Sequence, residues 1–245
     1  MCARQISATA VAILLLTAKT FSQTKYEAGL GLGAYVYQGD LVPGRLGSLK
    51  TVSPGIHLSF AKPIFSLLTL RAMFTYTKLR GDETKYDPAY RQFRAFKFTN
   101  GVKELSLLAQ YNIFGNREYE PLFEPYVFAG AGLSFMNVKR DHSGFNAAYF
   151  GENNDQAARL AQDAAVSPPR STVVLPLGAG VRYNFSEKFS LNLEAGYRFT
   201  RSDYVDGYSI SANPKLKDKY YGVTTGLIYK IGKKGKGIGC PANVN

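Results

Sequence analysis

The sequence predicts an all-β protein, an eight-stranded antiparallel up-and-down transmembrane β-barrel. Three observations predict it: eight segments that alternate apolar and polar residues, connections that alternate between short and long, and aromatic residues near both ends of the apolar faces. The composition agrees, because 24 glycines, 17 tyrosines and 16 phenylalanines favour β-structure, and 20% charged residues are too few for a disordered chain. After the first 20 positions, no apolar run reaches the about 20 residues of a membrane-spanning helix.

Each of the eight segments has the period of two that sends successive side chains to opposite faces of a strand. In 219–231, Tyr221 and Leu227 lie on one face, and Gly222 and Gly226 lie on the other. One face of each segment is therefore apolar, and the other is rich in glycine, polar and charged residues. The predicted strands are 26–37, 52–61, 67–78, 102–112, 125–137, 173–184, 189–200 and 219–231.

The connections between these strands alternate in length. Every odd connection is longer than every even one: the long ones are 38–51, 79–101, 138–172 and 201–218, and the short ones are 62–66, 113–124 and 185–188. Outer-membrane barrels have short periplasmic turns and long external loops. The sequence therefore predicts a cell outer-membrane location with both termini periplasmic.

Aromatic residues on the apolar faces fall into two groups when odd strands run up and even strands run down. The short-turn rim receives Tyr26, Phe60, Tyr111, Tyr183, Phe189 and Tyr229, and the long-loop rim receives Tyr76, Phe135, Phe199 and Tyr221. Such girdles mark the two interfaces of a membrane barrel. The alternative is a soluble lipocalin-like barrel, whose apolar face surrounds an internal ligand and whose aromatics show no grouping by depth.

The two ends of the chain differ from its centre. Residues 1–22 predict a secretory signal peptide, with Arg4 before an apolar core from Ala8 to Leu16. The barrel is then 23–231, and 232–245 form a basic, glycine-rich periplasmic tail. Loss of two of the 30 basic residues with the leader leaves 28 against 18 acidic residues, a net charge of +10 that suits anionic lipid or an acidic partner surface.

Charged side chains on the polar strand faces are predicted to pair across the lumen and fill it, because eight strands enclose little more than the volume of their side chains. We expect Glu27 and Lys230 to meet, since they lie near one rim on strands that are neighbours in a closed barrel. A gated channel or proton path is the alternative. The predicted network is Glu27, Arg71, Glu104, Arg182, Glu194, Arg198 and Lys230, with His57 and Gln110 nearby.

Two of the long loops have distinctive sequences. Loop 79–101 interleaves aromatic residues with Arg80, Lys85, Arg91, Arg94 and Lys97, an array predicted to contact lipopolysaccharide phosphates at the external rim. Single-stranded nucleic acid would also suit such an array, but export of the chain argues against that ligand. Loop 138–172 is expected to contain a short helix at about 154–165, capped by Asn153.

The sequence predicts no catalytic, cofactor or metal site. Its two histidines, His57 and His142, lie in no motif that places a nucleophile beside them. The acidic residues around His142 lack the spacing of metal ligands. Glycine patterns at 29–33 and 178–180 lie within strands and open no helix, so they do not indicate a dinucleotide site.

Several fragments of 25–245 resemble one family, the PorG-like, DUF6089-like outer-membrane barrels of type IX secretion and gliding bacteria. They are Glu27-Ala-Gly with Gly39-Asp40-Leu41, Pro125 to Gly130, Pro176 to Asp206, Asn213-Pro214-Lys215, and Lys234 to Pro241. The resemblance implies a non-enzymatic outer-membrane anchor or scaffold that binds periplasmic components of the secretion machinery. In addition, Gly226, Tyr229 and Ile231 resemble the last-strand signal that the barrel-assembly machinery recognises.

If the resemblance extends to function, the tail is the accessible contact for a periplasmic partner, through Lys233, Lys234, Lys236 and Cys240. Cys240 is the one cysteine left after the leader is removed, and an unpaired cysteine in an oxidising compartment favours an intermolecular disulfide. Two other functions stay open. One is a barrel that stabilises the envelope or interacts with lipopolysaccharide without a machine partner, and the other is an outer-membrane lipid hydrolase.

Overall fold

The computed structural model describes residues 26–44, 46–114, 121–151, 155–212 and 217–232. These residues form a closed barrel of eight antiparallel strands in sequence order, with the last strand paired to the first. The predicted fold class is thereby confirmed. The strands are β1 Tyr26–Gln38, β2 Ser53–Pro63, β3 Leu68–Asp82, β4 Lys97–Asn112, β5 Phe123–Asp141, β6 Ser171–Tyr183, β7 Phe189–Thr200 and β8 Lys219–Ile231.

The strand bounds match the sequence prediction best in β7 and β8 and least in β3 to β5. There the sheet continues well past the predicted ends, and Lys97 of β4 pairs with Asp82 of β3 and with Asp141 of β5. In this extension the apolar residues point inward and the polar residues point outward, the reverse of the pattern in the rest of the strand. Leu79 points inward and is fully buried, whereas Arg80 points outward and is exposed. Because the sequence prediction relied on an apolar outward face, it did not include these residues in the strands.

The connections lie at two ends of the barrel. The short-connection end holds 64–67, 113–122 and 184–188, and the long-connection end holds 39–52, 83–96, 142–170 and 201–218. Three short α-helices occur in the described parts of the long connections: α1 Ala89–Arg94, α2 Ala147–Phe150 and α3 Gln156–Ala165. Helix α3 confirms the predicted helix, although Asp155 occupies its N-cap position and Asn153 lies outside the described residues.

The barrel wall turns its apolar face outward. Leu30, Leu32 and Leu193 expose 59%, 65% and 53% of their surface, whereas Glu104 and Gln110 point inward and are fully buried. A soluble barrel with an apolar interior has the opposite arrangement. The alternation in the sequence therefore corresponds to an apolar exterior and a polar lumen.

Glycines on the lumen face make room for large side chains from neighbouring strands. The ring of Tyr35 on β1 lies against Gly55 of β2 and Gly222 of β8, where an added Cβ would approach ring atoms to 2.6 Å in each case. Tyr35 itself is fully buried. This packing explains why the polar faces carry so many glycines.

The largest hydrophobic cluster lies at the long-connection end. It combines inward residues of the strands, such as Tyr37 and Phe98, with loop residues such as Phe96, Val205 and Tyr208. The described parts of these connections thus fold over the barrel opening and form a cap, which we define as 39–44, 46–52, 83–96, 142–151, 155–170, 201–212 and 217–218.

The predicted leader, 1–22, and nearly all of the predicted tail lie outside the described residues. The domain limits 1–22, 23–231 and 232–245 therefore stay predictions. Among the helices of the described residues, none has the length and apolar character needed to cross a membrane.

Candidate functional site: lumen, cap and outer wall

Three buried arginines pair with glutamates inside the barrel, and Arg182 pairs with two of them, Glu27 and Glu124. Arg182 on β6 donates two nearly parallel hydrogen bonds to the carboxylate of Glu27 on β1, at 3.0 Å and 2.9 Å. The other pairs are Arg71 with Glu194 and Arg198 with Glu104. Buried ion pairs are stable only when further hydrogen bonds satisfy the remaining donors and acceptors.

Two of the carboxylates, those of Glu194 and Glu104, receive such additional hydrogen bonds. Tyr126 and Asn192 donate to Glu194 at 2.6 Å and 2.7 Å, and the Tyr220 hydroxyl donates to Glu104 at 2.7 Å. These contacts hold the charged groups in fixed positions across the lumen.

Aromatic rings fill the space around the arginines. The guanidinium carbon of Arg71 lies 5.0 Å from the centre of the Phe128 ring, and that of Arg198 lies 5.2 Å from the centre of the Tyr35 ring. Arginine and ring faces attract each other at this distance. The lumen is therefore packed with side chains at the level of these pairs.

Glu27 and Lys230 lie directly opposite each other in the β1–β8 register, as expected for neighbouring strands. However, the bidentate partner of Glu27 is Arg182, and the Lys230 ammonium donates to Asn184 at 3.0 Å. The planar guanidinium matches both carboxylate oxygens, which an ammonium does not. The arginine of β6 thus takes the role that the sequence suggested for the lysine of β8.

In the cap, a single buried glutamate binds two arginines. Glu83 is fully buried, and it accepts hydrogen bonds from Arg91 at 2.9 Å and from Arg94 Nε at 2.8 Å. Both arginines were predicted to contact lipopolysaccharide, but each exposes only 8% of its surface. Their guanidinium groups instead hold α1 against the turn that contains Glu83.

A second buried carboxylate joins two loops of the cap. Asp163 of α3 accepts hydrogen bonds from the backbone N–H groups of Ser209, Ile210 and Ser211, at 3.3 Å, 3.1 Å and 2.7 Å. Successive backbone N–H groups that converge on an anion form a strong anion-binding site. Asp163 therefore fixes 201–218 to the helix of the longest loop.

A third contact places two carboxyl groups around one hydroxyl. The oxygen of Tyr37 lies 2.6 Å from Asp206 Oδ2 and 2.8 Å from Asp218 Oδ1. A hydroxyl donates one hydrogen, so the second contact requires a proton on a carboxyl group. Burial raises the pKa of Asp218 to about 8, with repulsion from Asp40 and Asp203, and burial together with repulsion from Asp218 raises the pKa of Asp206 well above its ordinary value.

The aromatic residues of the outer wall form contacts at both ends. At the short-connection end, the ring centres of Tyr26 and Phe60 are 5.3 Å apart, and those of Phe189 and Tyr229 are 5.2 Å apart. Phe123, which the sequence prediction omitted, stacks on Tyr183 at 5.0 Å. Phe123 lies two residues before the predicted start of the fifth strand and in phase with its apolar face, so the sequence pattern could have indicated that it belongs to the outer wall. Tyr111, Tyr76, Phe135, Phe199 and Tyr221 also lie on outward positions of their strands.

The remaining basic residues of loop 79–101 are more accessible than Arg91 and Arg94. Arg80 and Lys85 are exposed, and Lys97 is half-buried at the start of β4. Of the predicted tail contacts, Lys233, Lys234, Lys236 and Cys240 all lie outside the described residues.

The family assignment rests on the sequence of the whole barrel. The profile of the family described as "Domain of unknown function (DUF6089)" matches residues 6–229. The chain belongs to the DUF6089 family. A comparison with curated protein sequences finds no match.

Solved structures share the fold of this DUF6089 chain. OprG from Pseudomonas aeruginosa has a TM-score of 0.51 and 12% identity, with 86% of this chain and 98% of OprG covered. Neisserial surface protein A has a TM-score of 0.47 and 15% identity, with 84% and 97% covered. The outer membrane enzyme PagL has a TM-score of 0.40 and 14% identity, with 84% and 99% covered. The similarity to OprG shows a common barrel fold.

The two histidines of this DUF6089 chain lie in different parts of the structure. His57 is buried in the lumen beside Gly31, and His142 lies exposed in the longest loop. In the part of the chain that the structure describes, neither histidine has a hydrogen bond to a serine hydroxyl. Within the same ranges, no group of three or more histidine, cysteine, aspartate or glutamate residues is placed to hold a metal ion.

Proposed function

We propose that this chain is an outer-membrane β-barrel that acts as a non-conducting anchor or scaffold and not as an enzyme. The observation that carries the proposal is the combination of an apolar exterior with a lumen packed by buried ion pairs and aromatic rings. An apolar wall suits lipid, and a packed lumen leaves no path for solutes.

The dimensions of the wall support membrane insertion. On β4 the outward residues Leu105, Leu107 and Ala109 lie between Tyr111 and Lys103. Eight residues at about 3.3 Å each give about 26 Å along the strand, and a strand tilt of about 35–45° makes this roughly 20 Å of height, which fits within the about 25 Å of an outer-membrane apolar band. Closed barrels are the β-structures that satisfy every backbone hydrogen bond inside a bilayer.

We place the short-connection end and both termini in the periplasm and the cap outside, since outer-membrane barrels have short periplasmic turns. The partner in this proposal is a periplasmic component of the type IX secretion or gliding machinery. It is supported by the resemblance of the strand and loop fragments to PorG-like barrels, and the basic tail with Cys240 is the proposed contact.

The placement of the histidines supports a non-enzymatic role. His57 is enclosed by the lumen, so a lipid in the surrounding bilayer has no route to it. His142 is solvent-exposed, and the described residues provide no hydrogen-bonded nucleophile beside it.

The first test is electrophoresis of washed outer membranes, boiled and unboiled, after treatment with a short periplasm-permeable cross-linker. We expect a heat-modifiable band that also shifts to a discrete complex containing a periplasmic protein. A band that is indifferent to heat and released by carbonate would refute membrane insertion. Unchanged mobility and co-purification of a Cys240→Ser variant would remove Cys240 from the contact.

A planar bilayer measurement tests the sealed lumen separately. The purified barrel should produce no discrete conductance steps, whereas an Arg71→Ala/Glu194→Ala variant opens space inside the barrel and serves as the comparison. Steps from the wild-type protein would refute the non-conducting role.

A second candidate function is an envelope barrel that interacts with lipopolysaccharide and has no machine partner. The exposed basic residues at the outer rim, including Arg80 and Lys85, favour it. In the cross-linking experiment this function gives a heat-modifiable band that associates with lipid alone.

A further inference from the structure

Five basic side chains lie on the outward side of β3, β4 and β5, at and above the upper aromatic residues. We name them the outer-wall patch: Lys78, Arg80, Lys97, Lys103 and Lys139. Four of the five are exposed, and Lys97 is half-buried. Three of them, Lys78, Lys103 and Lys139, were absent from the predicted lipopolysaccharide contact.

The strand register arranges the patch in rows. The lowest row places Lys103 between Tyr76 of β3 and Phe135 of β5. In the next row Gly101 lies between Lys78 and Asn137. The patch therefore begins at the level of the aromatic side chains and rises from there.

The third row places Thr99 between Arg80 and Lys139. Gly101, one row below, leaves open space, because an added Cβ would meet no atom nearer than Asn137 Cβ at 4.0 Å. A cavity of about 300 Å³ lies against Arg80, Lys97, Thr99 and Lys139, and its upper part is also lined by Asp82 and Asp141. The register thus builds a recess in which the basic side chains outnumber the carboxylates.

The positive charge of the patch is not neutralised by ion pairs. Within the described ranges, no carboxylate lies within 4.0 Å of any of its five cationic groups. Asp82 and Asp141 lie in the uppermost row beside Lys97, and their carboxylates accept hydrogen bonds from the next turns, from Thr84 and Ser143. Five cations and two anions give the outer-wall patch a net charge of +3.

The basic residues are concentrated on β3, β4 and β5, although Lys219 of β8 and the exposed Arg201 after β7 also lie near the cap end. At the same height, the outward residues of the described strands β6, β7 and β2 include Val173, Phe199 and Ile56, none of them basic. On β8, Lys219 lies over the Phe199 ring at 5.7 Å.

We propose that the outer-wall patch binds the phosphate groups of a lipid headgroup in the leaflet on the cap side, with the acyl chains against the apolar wall below. This site deepens the proposed function and rests on membrane insertion. Lysine and arginine bind phosphate through charge-assisted hydrogen bonds, and basic clusters at a membrane surface select anionic lipid.

A lipid suits the patch better than a soluble anion does, because the patch is continuous with the apolar wall. Leu105 and Leu133 are register partners one outward step below Lys103 and Phe135, and they expose 58% and 49% of their surface. A ligand that touches Lys103 and these leucines must be charged at one end and apolar at the other.

The test is native mass spectrometry of the full barrel in detergent micelles, with diphosphoryl lipid A as the probe. The variant Lys78→Gln/Lys103→Gln/Lys139→Gln removes three cations of the patch. The matched control Lys62→Gln/Arg159→Gln/Lys188→Gln removes three exposed cations elsewhere. We expect the patch variant to lose at least about tenfold in lipid affinity, as several phosphate contacts are removed, and the control to bind as the wild type does.

Two further arms identify the ligand chemistry. A dephosphorylated form of the same lipid should bind the wild type as weakly as the intact lipid binds the patch variant. Inorganic pyrophosphate should displace the lipid only in large excess, and displacement at equal concentration would overturn the lipid as ligand in favour of a free phosphate. Wild-type affinity in the patch variant would overturn the site itself.

Heat-modifiability separates this inference from the proposed function. If both the wild type and the patch variant shift on boiling and insert into vesicles, lipid binding alone decides the inference. If the wild type does neither, membrane insertion fails and the inference fails with it.

Discussion

The shared proton in the cap makes the stability of the barrel depend on pH. Tyr37 contacts both Asp206 and Asp218, and burial raises the pKa of Asp218 to about 8 from an ordinary 3.8. Between about pH 4 and 8, the folded protein therefore keeps a proton on Asp218 that the unfolded chain has already released. Stability falls with rising pH wherever the folded state binds more protons. The cap is thus most stable below about pH 4 and loses stability as the pH rises to 8.

The Asp218→Asn substitution removes the contribution of Asp218 to this dependence. An asparagine oxygen accepts from the Val205 and Asp206 N–H groups, as Asp218 Oδ2 does, and its NH₂ donates to the Tyr37 oxygen. One proton corresponds to about 1.4 kcal/mol per pH unit. Between pH 5 and 8 the wild type should lose on the order of 4 kcal/mol of unfolding free energy relative to the variant.

The assay is urea unfolding of the barrel in detergent micelles at several pH values. Asp40 and Asp203 also act on Asp218 and raise its pKa, so they remain unchanged in every variant. The exposed Asp87→Asn variant controls for loss of a carboxylate. Parallel pH curves for the wild type and Asp218→Asn would refute the shared proton.

Three further substitutions test the packing by the same unfolding assay or by proteolysis. Arg182→Met should cost about 3–5 kcal/mol because it leaves Glu27 buried without its ion pair, and a cost below 1 kcal/mol would contradict that role. Gly222→Ala should cost about 1–3 kcal/mol through overpacking against a tyrosine ring, whereas wild-type stability would show that the ring moves freely. Asp163→Ala should release 201–218 and speed tryptic cleavage there, and an unchanged rate would show that other contacts hold this loop.

The sequence predicted the strands where one face touches the apolar exterior throughout. It was accurate in β7 and β8 because their alternation keeps a single phase from end to end. It missed the tops of β3 to β5, where loops of the cap cover the inner face and the outer face becomes basic. Lys103 shared the phase of Leu105 and Leu107, so a lysine on an otherwise apolar face was the available signal of the outer-wall patch.

The sequence predicted which charged residues point into the lumen, but it did not predict which of them pair with each other. Periodicity identified which charges point inward, but Arg182 and Glu27 lie on β6 and β1, which are not adjacent, and no local pattern shows which groups meet across a lumen. The role of Glu83 was equally hidden, because Arg91 and Arg94 carry the same sequence signature whether they face solvent or a buried carboxylate. Such partners are determined by tertiary packing.

The pairing of β1 with β8 has a consequence for how the chain folds. Tyr26 pairs with Ile231, so the first and last strands of the barrel are partners across nearly the whole described sequence. Pairings between such distant segments carry a large loop-closure cost and form slowly. Until β8 has paired with them, β1 and β7 have exposed edges whose backbone groups can pair with other chains. These two edges therefore stay open for as long as the last thirteen residues of the sheet, Lys219–Ile231, remain unpaired.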